Sequence, residues 1–336
     1  MNICVLGAGS WGIALTRLLA LNGHDLTVWS IDPEEIKMLK EYSQHLTKLP
    51  GVMLPGTVMF TTDLGEATKD KEMVVMAVPS PFIRSTSQSV SEYIKEGTVI
   101  VNVSKGIEED TLKRLSEVIK EEIPQAKVAV LCGPSHAEEV GKSIPTTVVA
   151  GADNKELAKL VQDTFMSDFF RVYTSPDVLG IEIGAALKNV IALAAGMADG
   201  LGLGDNTKAA LITRGIHEIT ALGMAMGGKL QTFSGLSGIG DLIVTCASTH
   251  SRNRKAGYLM GQGMTYHEAM DEVKMVVEGV YSAKAAYALA KKYNIEMPIV
   301  ESVNKILFED YSVKDAMKDL LTRDKKAEST ALSWDE

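Results

Sequence analysis

Short apolar runs alternate with helical patterns along the first half of the chain. Strands are predicted for six runs rich in valine, isoleucine and leucine, over residues 3–6, 26–29, 73–78, 99–103, 128–131 and 147–149. Strands that are apolar throughout and separated by helices are typical of a mostly parallel sheet covered by helices on both faces. The first half is therefore predicted to be a doubly wound α/β structure.

The strand pattern ends near Pro176, and only helical patterns follow. Helices are predicted over residues 178–198 and 207–226, on either side of a glycine-rich break that would be costly inside a helix. Capping sequences that begin at Thr265 and Ser312 predict two further helix starts.

The change from strands to helices predicts two domains. At 336 residues the chain is longer than one compact core usually supports. We assign residues 1–177 to the sheet domain and residues 178–325 to an all-helical domain. Residues 326–336 are mostly polar and are predicted to fray.

Charge and cysteine content exclude several classes of protein. A formal net charge of -9 argues against a nucleic-acid-binding protein, which would need a basic surface. Cys4, Cys132 and Cys246 are far apart in apolar or small-residue runs, which indicates reduced thiols and a cytoplasmic location. No signal peptide is predicted, and the longest apolar run, near residues 190–198, is expected to be too short to span a membrane. No metal site is predicted.

A glycine motif follows the first predicted strand and opens the first predicted helix. It reads Gly7-Ala8-Gly9-Ser10-Trp11-Gly12. Two of its glycines permit a tight turn and close backbone approach, the third permits helix packing, and the helix N-terminus presents free N–H groups to a pyrophosphate. This placement predicts dinucleotide binding and a Rossmann-type sheet.

The end of the second strand leaves the cofactor preference open. Ser30, Ile31 and Asp32 lie where the adenosine ribose is usually read. Asp32 can accept a hydrogen bond from a ribose 2′-hydroxyl, but it can equally cap the helix that begins at Pro33 and runs to about Tyr42. We predict use of both NADH and NADPH, with a modest preference for NADH.

Polar residues collect at the ends of later strands and in one apolar helix. Lys105 and the segment Gly133-Pro134-Ser135 follow successive strands, at the edge where ligands of open α/β sheets bind. Lys188 lies in a stretch almost free of charge, so its helix is predicted to be buried on most sides. A buried lysine can protonate a developing alkoxide; a surface lysine is the alternative.

Two further segments are candidates for the substrate site. Asp241 lies in a glycine loop before an apolar helix, where it could cap the helix or orient Lys188. Ser251-Arg252-Asn253-Arg254 opens the next helix, so backbone N–H groups, a hydroxyl, an amide and two guanidinium groups are expected to converge there. Such a group suits a phosphate dianion, although surface arginines are the alternative.

Nine segments together resemble bacterial NAD(P)-dependent glycerol-3-phosphate dehydrogenases, and the resemblance covers nearly the whole chain. They are residues 7–12, 78–80, 105–108, 133–135, 187–190, 211–215, 238–241, 251–254 and 276–279. The resemblance implies reversible reduction of dihydroxyacetone phosphate to sn-glycerol 3-phosphate by NAD(P)H, supplying glycerophospholipid synthesis. One departure is Ile31, where relatives often carry a basic residue.

The resemblance also implies roles for individual residues. Lys188 would be the catalytic proton donor and acceptor, and Lys105 would contact both cofactor and substrate. The implied glycerol-phosphate site further comprises Gly133, Ser135, Asp241, Ser251, Arg252 and Asn253. The implied cofactor site further comprises Ser10, Trp11, Ala137, Arg252, Val276 and Glu278.

Two other functions compete with this one. Another two-domain dehydrogenase, of the β-hydroxyacid or acyl-CoA type, would share the cofactor motif but not need the phosphate cluster. A nucleotide-sensing regulatory module would need neither a buried Lys188 nor Asp241. Apolar helix surface in the second half, beyond what its own core needs, suggests a homodimer.

Overall fold

One eight-stranded sheet organises the first half of the protein in the computed structural model, which describes residues 1–328. The strands are β1 Asn2–Leu6, β2 Asp25–Trp29, β3 Met59–Thr61, β4 Met73–Met76, β5 Val99–Asn102, β6 Lys127–Cys132, β7 Thr146–Ala152 and β8 Phe170–Ser175. Their order is β3-β2-β1-β4-β5-β6-β7-β8. The strand order reverses at β1, between β2 and β4, as in dinucleotide-binding folds.

The predicted parallel sheet is confirmed, with two additions. Every pairing among the described strands is parallel except that of β6 with β7. All six predicted strands form, but β3 and β8 were not predicted. β3 has three residues, too few for a periodic pattern, and β8 is an edge strand whose side chains alternate between buried and exposed.

Helices cover both faces of the sheet. They are α1 Ser10–Leu21, α2 Pro33–Tyr42, α3 Leu64–Thr68, α4 Ile83–Ser91, α5 Leu115–Glu122, α6 Ala137–Val140 and α7 Lys155–Phe165. Because successive side chains of a strand point to opposite faces, Ile3 and Val5 of β1 join one core while Cys4 and Leu6 join another. The doubly wound arrangement follows from strands that are apolar on both sides.

Helices alone follow β8 in the described residues. They are α8 Val178–Gly200, α9 Gly204–Ala225, α10 Leu230–Phe233, α11 Asp241–Ala247, α12 Arg252–Gly261, α13 Tyr266–Val273, α14 Glu278–Tyr293, α15 Pro298–Phe308 and α16 Val313–Leu321. The predicted glycine break and both capping sequences are confirmed, with α9 beginning three residues before the predicted 207. Of the tail predicted to fray, residues 329–336 lie outside the described part.

Helix α8 is the centre of the second half. Helix α12 crosses it so closely that a Cβ at Gly257 would lie 2.1 Å from the carbonyl oxygen of Leu193. The apolar run near residues 190–198 is part of α8, which as a whole is long and apolar enough to cross a bilayer by length and composition. However, 94% of its apolar window is buried inside the protein, as in the core helix of a folded protein.

Candidate active site

The glycine motif forms the turn from β1 into α1. Gly7 has φ of 115°, and a Cβ there would lie 2.8 Å from the carbonyl oxygen of Ala77. A Cβ at Gly12 would lie 2.0 Å from the oxygen of Gly7, whereas the space beside Gly9 is open to 4 Å. Helix α1 has neither a capping side chain nor an acidic residue in its first turn. Its free N–H groups therefore fit a pyrophosphate.

A cavity of about 1120 Å³ extends from this turn to the helices of the second half. Residues predicted for cofactor or substrate that line it are Gly7, Gly9, Ser10, Trp11, Ser30, Lys105, Ser135, Ala137, Lys188, Ser251, Arg252, Asn253, Val276 and Glu278. Gly12, Gly133 and Asp241 lie behind this wall. Within the described residues the buried indole Nε1 of Trp11 has no hydrogen-bond partner, which suits a ligand that accepts from it.

Two lysines that line the cavity share one aspartate that lies behind its wall. Asp241 accepts from Nζ of Lys188 at 2.5 Å and from Nζ of Lys105 at 2.8 Å. Lys105 also donates to the carbonyl oxygen of Gly133 at 3.0 Å. Asp241 therefore does not cap its helix; α11 begins after a π-helical turn, Leu236–Gly240, and Asp241 is only 1% exposed. The prediction that it orients Lys188 agrees with this geometry.

Thr245 completes the surroundings of Lys188. Its hydroxyl accepts from Nζ of Lys188 at 2.8 Å and donates to the carbonyl oxygen of Asp241 at 2.6 Å. Sequence reasoning missed Thr245, although a hydroxyl one turn after Asp241 on the same helix face was a usable indication.

Burial and charge together set the protonation of this cluster. Burial lowers the pKa of Lys188 to about 8, because the attraction of Asp241 only partly offsets it and Lys105 repels. For Lys105, burial acts in the same direction, but the attraction of Asp241 prevails and the pKa is raised. Burial alone would raise the pKa of Asp241, yet the two lysines lower it. Lys188 is therefore the group able to exchange a proton near neutral pH.

The start of α12 differs in part from the predicted phosphate cluster. Arg252 lines the cavity and donates to the carbonyl oxygen of Val276 at 3.2 Å. Arg254 does not join it, because its guanidinium pairs with Asp199 at 2.6 and 2.7 Å. Two residues along a helix are about 200° apart, so the side chains point in nearly opposite directions. One guanidinium, not two, faces the cavity from this helix start.

Ser251 and Asn253 line the cavity and also form hydrogen bonds to other parts of the protein. The hydroxyl of Ser251 caps α12 by accepting from the N–H of Arg254 at 3.2 Å. The amide of Asn253 donates to Asn189 on α8 at 3.0 Å and accepts from the N–H of Gly279 at 2.8 Å. Asn253 therefore fixes α12 and α14 against the helix that carries Lys188.

The remaining predicted residues lie on loops of the sheet edge and at the start of α14. Ser135 donates to the carbonyl oxygen of Gly133 at 2.9 Å, and Ala137 begins α6. The carboxylate of Glu278 accepts from both the backbone N–H and the hydroxyl of Ser80, which follows β4. Burial raises the pKa of Glu278 against these hydrogen bonds. Glu278 thus joins the helical half to the sheet at the cavity wall.

At the end of β2 the structure decides one open alternative. Asp32 caps α2, accepting from the N–H of Glu34 at 2.9 Å, and it is not part of the cavity wall. Ser30 does line the cavity and donates to Glu35 at 2.7 Å. Sequence reasoning missed Glu35 and Lys48, which also line this end of the cavity.

Two sequence profiles of one family match most of the chain. They describe the N-terminus of NAD-dependent glycerol-3-phosphate dehydrogenase, over residues 2–158, and its C-terminus, over residues 177–318. The chain belongs to this family. Enzymes named NAD(P)+ glycerol-3-phosphate dehydrogenase from Agathobacter rectalis and Fusobacterium nucleatum are similar to it, at 62% identity over 99% of both chains and 60% over 98% of both.

Solved structures of the glycerol-3-phosphate dehydrogenase family share the fold. The crystal structure of the enzyme from Coxiella burnetii matches with a TM-score of 0.93 and 36% identity, covering 96% of this chain and 99% of that one. The resemblance drawn from the nine segments is confirmed, and neither the other dehydrogenase type nor the regulatory module is favoured.

Proposed function

We propose that this member of the glycerol-3-phosphate dehydrogenase family acts through the buried cluster of Lys188, Asp241 and Lys105. The enzyme interconverts dihydroxyacetone phosphate and sn-glycerol 3-phosphate with NAD(P)H, which supplies glycerophospholipid synthesis. The observation that carries the proposed mechanism is a lysine that is 5% exposed, bonded to a carboxylate and adjacent to a cavity with a dinucleotide motif.

The cofactor site combines the first turn of α1 with residues across the cavity. Bound NAD(P)H supplies the hydride. The residues proposed to hold it are Gly7, Gly9, Ser10, Trp11, Gly12, Ser30, Lys105, Ala137, Arg252, Val276 and Glu278. Gly12 acts through packing, because its missing side chain lets α1 begin directly beside the turn at Gly7. The open space at Gly9 and the free N–H groups of α1 support pyrophosphate binding there.

Lys188 is the proposed proton donor to the C2 oxygen of dihydroxyacetone phosphate. Its pKa of about 8 leaves it mostly protonated at neutral pH, yet able to release the proton as negative charge develops on that oxygen. Lys105, whose pKa is raised, remains cationic and stabilises the same charge. Asp241 holds both ammonium groups in place. In the reverse direction, neutral Lys188 accepts the proton of the C2 hydroxyl.

The substrate phosphate is proposed to bind at the start of α12. Arg252 supplies the cation there, and the N-terminal N–H groups of the helix, with no acidic residue in the first turn, add positive potential. Ser251 and Asn253 shape this end of the cavity. Gly133 and Ser135 complete the substrate site through the loop after β6, where the Gly133 carbonyl orients Lys105.

The proposal extends to the division into domains and to the assembly. We place the boundary at residues 177 and 178, between the end of β8 and α8, with the helical domain ending at 325. We also propose a cytoplasmic location; α8, the helix long and apolar enough to span a membrane among the described residues, is 94% buried inside the protein over its apolar window. Exposed apolar side chains on the helical half, including Met224, Leu230 and Ile243, support a homodimer, which light scattering would measure.

The decisive test replaces Lys188 with alanine. We expect turnover of dihydroxyacetone phosphate, followed by absorbance of the reduced nicotinamide, to fall by about 10²–10⁴, the range for a positioned acid. Binding of NADH, titrated by fluorescence without substrate, should stay nearly unchanged. Lys255→Ala, at an exposed position on α12, is the matched control and should behave as wild type.

Two results would overturn the proposal. Turnover of Lys188→Ala within a few-fold of wild type would remove Lys188 from the mechanism. Failure of the wild-type protein to oxidise either reduced cofactor with dihydroxyacetone phosphate would contradict the function itself.

A further inference from the structure

A partly buried carboxylate lies at the end of the cavity where the adenosine ribose is expected. Ser30 and Ile31 follow β2 and line the cavity together with Glu35 from α2 and Lys48 from the loop after it. In doubly wound dinucleotide-binding folds, an acidic group near this strand end hydrogen-bonds the ribose 2′-hydroxyl. Because Asp32 is occupied in capping α2 and does not line the cavity, Glu35 is the acidic side chain from this segment that does.

Glu35 is held in a fixed position by three donors. Its Oε2 accepts from the hydroxyl of Ser30 at 2.7 Å, and its Oε1 accepts from Nε2 of His45 at 3.3 Å and from the ammonium of Lys48. Burial alone would raise the pKa of Glu35, but hydrogen bonds from His45, Lys48 and Ser30 lower it to about 2. The carboxylate is therefore ionised at any working pH.

Lys48 is the cation nearest to this carboxylate, and the two charges offset each other. The side chain of Lys48 is 36% exposed and that of Glu35 is 12% exposed, so the ion pair is partly shielded from water. A 2′-phosphate brought to Ser30 would meet a carboxylate directly behind the hydroxyl and an ammonium already paired. A 2′-hydroxyl brings no charge and can donate to Glu35 or to the oxygen of Ser30.

We propose that Glu35 determines the cofactor specificity of this enzyme, by repelling a 2′-phosphate and by engaging Lys48, so that NADH is preferred over NADPH. This inference rests on the proposed function, because it assumes that the adenosine of NAD(P)H binds at the end of β2. It also predicts a latent NADPH site: once the carboxylate is neutral, Lys48 becomes free to pair with the phosphate.

The experiment measures binding without turnover. Dissociation constants of NADH and NADPH are determined by fluorescence titration, and those of 5′-AMP and adenosine 2′,5′-bisphosphate by calorimetry, at one ionic strength. For Glu35→Gln we expect the affinity ratio of NADPH to NADH to rise at least about tenfold, equivalent to about 1.4 kcal/mol. The affinity ratio of adenosine 2′,5′-bisphosphate to 5′-AMP should rise as well. Glu34→Gln, on the exposed side of the same helix turn, should leave both ratios unchanged.

Lys48 supplies a second and opposite test, which holds even if Glu35→Gln fails to fold. Lys48→Met leaves the carboxylate without its cation, so the ratio of NADPH to NADH affinity should fall below that of wild type. Adding Lys48→Met to Glu35→Gln should cancel the gain in NADPH affinity.

The outcomes separate this inference from the proposed function. Unchanged ratios in both single variants, or a wild-type protein that binds NADPH more tightly, would overturn the role of Glu35 while leaving the dehydrogenase assignment intact. If wild type bound neither reduced cofactor, the proposed function itself would fail.

Discussion

Thr245→Val isolates how the protein sets the pKa of its proton donor. The hydroxyl of Thr245 accepts a hydrogen bond from Nζ of Lys188 at 2.8 Å inside a buried site, so it favours the protonated form. Valine has nearly the same shape and cannot accept. The variant therefore removes one interaction of the ammonium while leaving Asp241 and Lys105 in place.

The size of the expected pKa shift follows from the energy of the hydrogen bond that the variant loses. A hydrogen bond to a charged group contributes about 1.5–3 kcal/mol. Each 1.4 kcal/mol or so lost from the charged form shifts its pKa by about one unit. The pKa of Lys188, about 8 in the wild-type protein, should therefore fall to roughly 6–7 in Thr245→Val. Near pH 7.5 the protonated fraction would drop from about three quarters to between about 3% and one quarter.

The pH dependence of the rate distinguishes a lowered pKa of Lys188 from a general loss of activity caused by a disturbed structure. In wild type, kcat/KM for dihydroxyacetone phosphate should decline as pH rises through about 8, and oxidation of glycerol 3-phosphate should rise over the same range. In Thr245→Val the pH dependences of both reactions should shift to lower pH by about one to two units. The rate of dihydroxyacetone phosphate reduction should therefore recover in mildly acidic buffer. Thr245→Ser keeps the hydroxyl and is the matched control. If Thr245→Val lowered the rate equally at every pH, the reasoning would be refuted.

Three further predictions concern substrate binding and stability. Arg252→Ala should raise KM for dihydroxyacetone phosphate more than about tenfold, because a charge-assisted phosphate contact contributes about 1.5–3 kcal/mol. An unchanged KM would contradict binding of the substrate phosphate at Arg252. Gly257→Ala should lower the free energy of unfolding by about 1–3 kcal/mol or more in denaturant titrations, since its Cβ would meet the carbonyl oxygen of Leu193. Burial raises the pKa of Glu218 to about 7, although the N–H of Ile299 donates a hydrogen bond to it. Because the folded protein favours the protonated carboxyl more than the unfolded chain does, the free energy of unfolding should fall as pH rises from about 4.5 to about 7. In thermal scans, Glu218→Gln should flatten that dependence, and an equally steep curve would contradict it.

The sequence by itself determined six strands of the sheet, the glycine turn and the burial of Lys188. These features depend on local patterns: apolar runs of strand length, glycines directly after a strand, and a stretch of helix with a single charge. Because the carboxyl ends of parallel strands meet at one edge, placing Lys105 and Gly133 at successive strand ends was enough to bring them near each other. Their contact at 3.0 Å agrees with that expectation.

Only the tertiary structure decided which neighbouring polar groups take part in the site. Asp32 and Glu35 are both acidic residues near the end of β2, yet one caps α2 and the other reaches back to Ser30. Arg252 and Arg254 share a helix start, yet only Arg252 faces the cavity. The physical reason is that a side chain's partner depends on helix rotation and on segments distant in sequence. Neither quantity is recorded in the local pattern of residues.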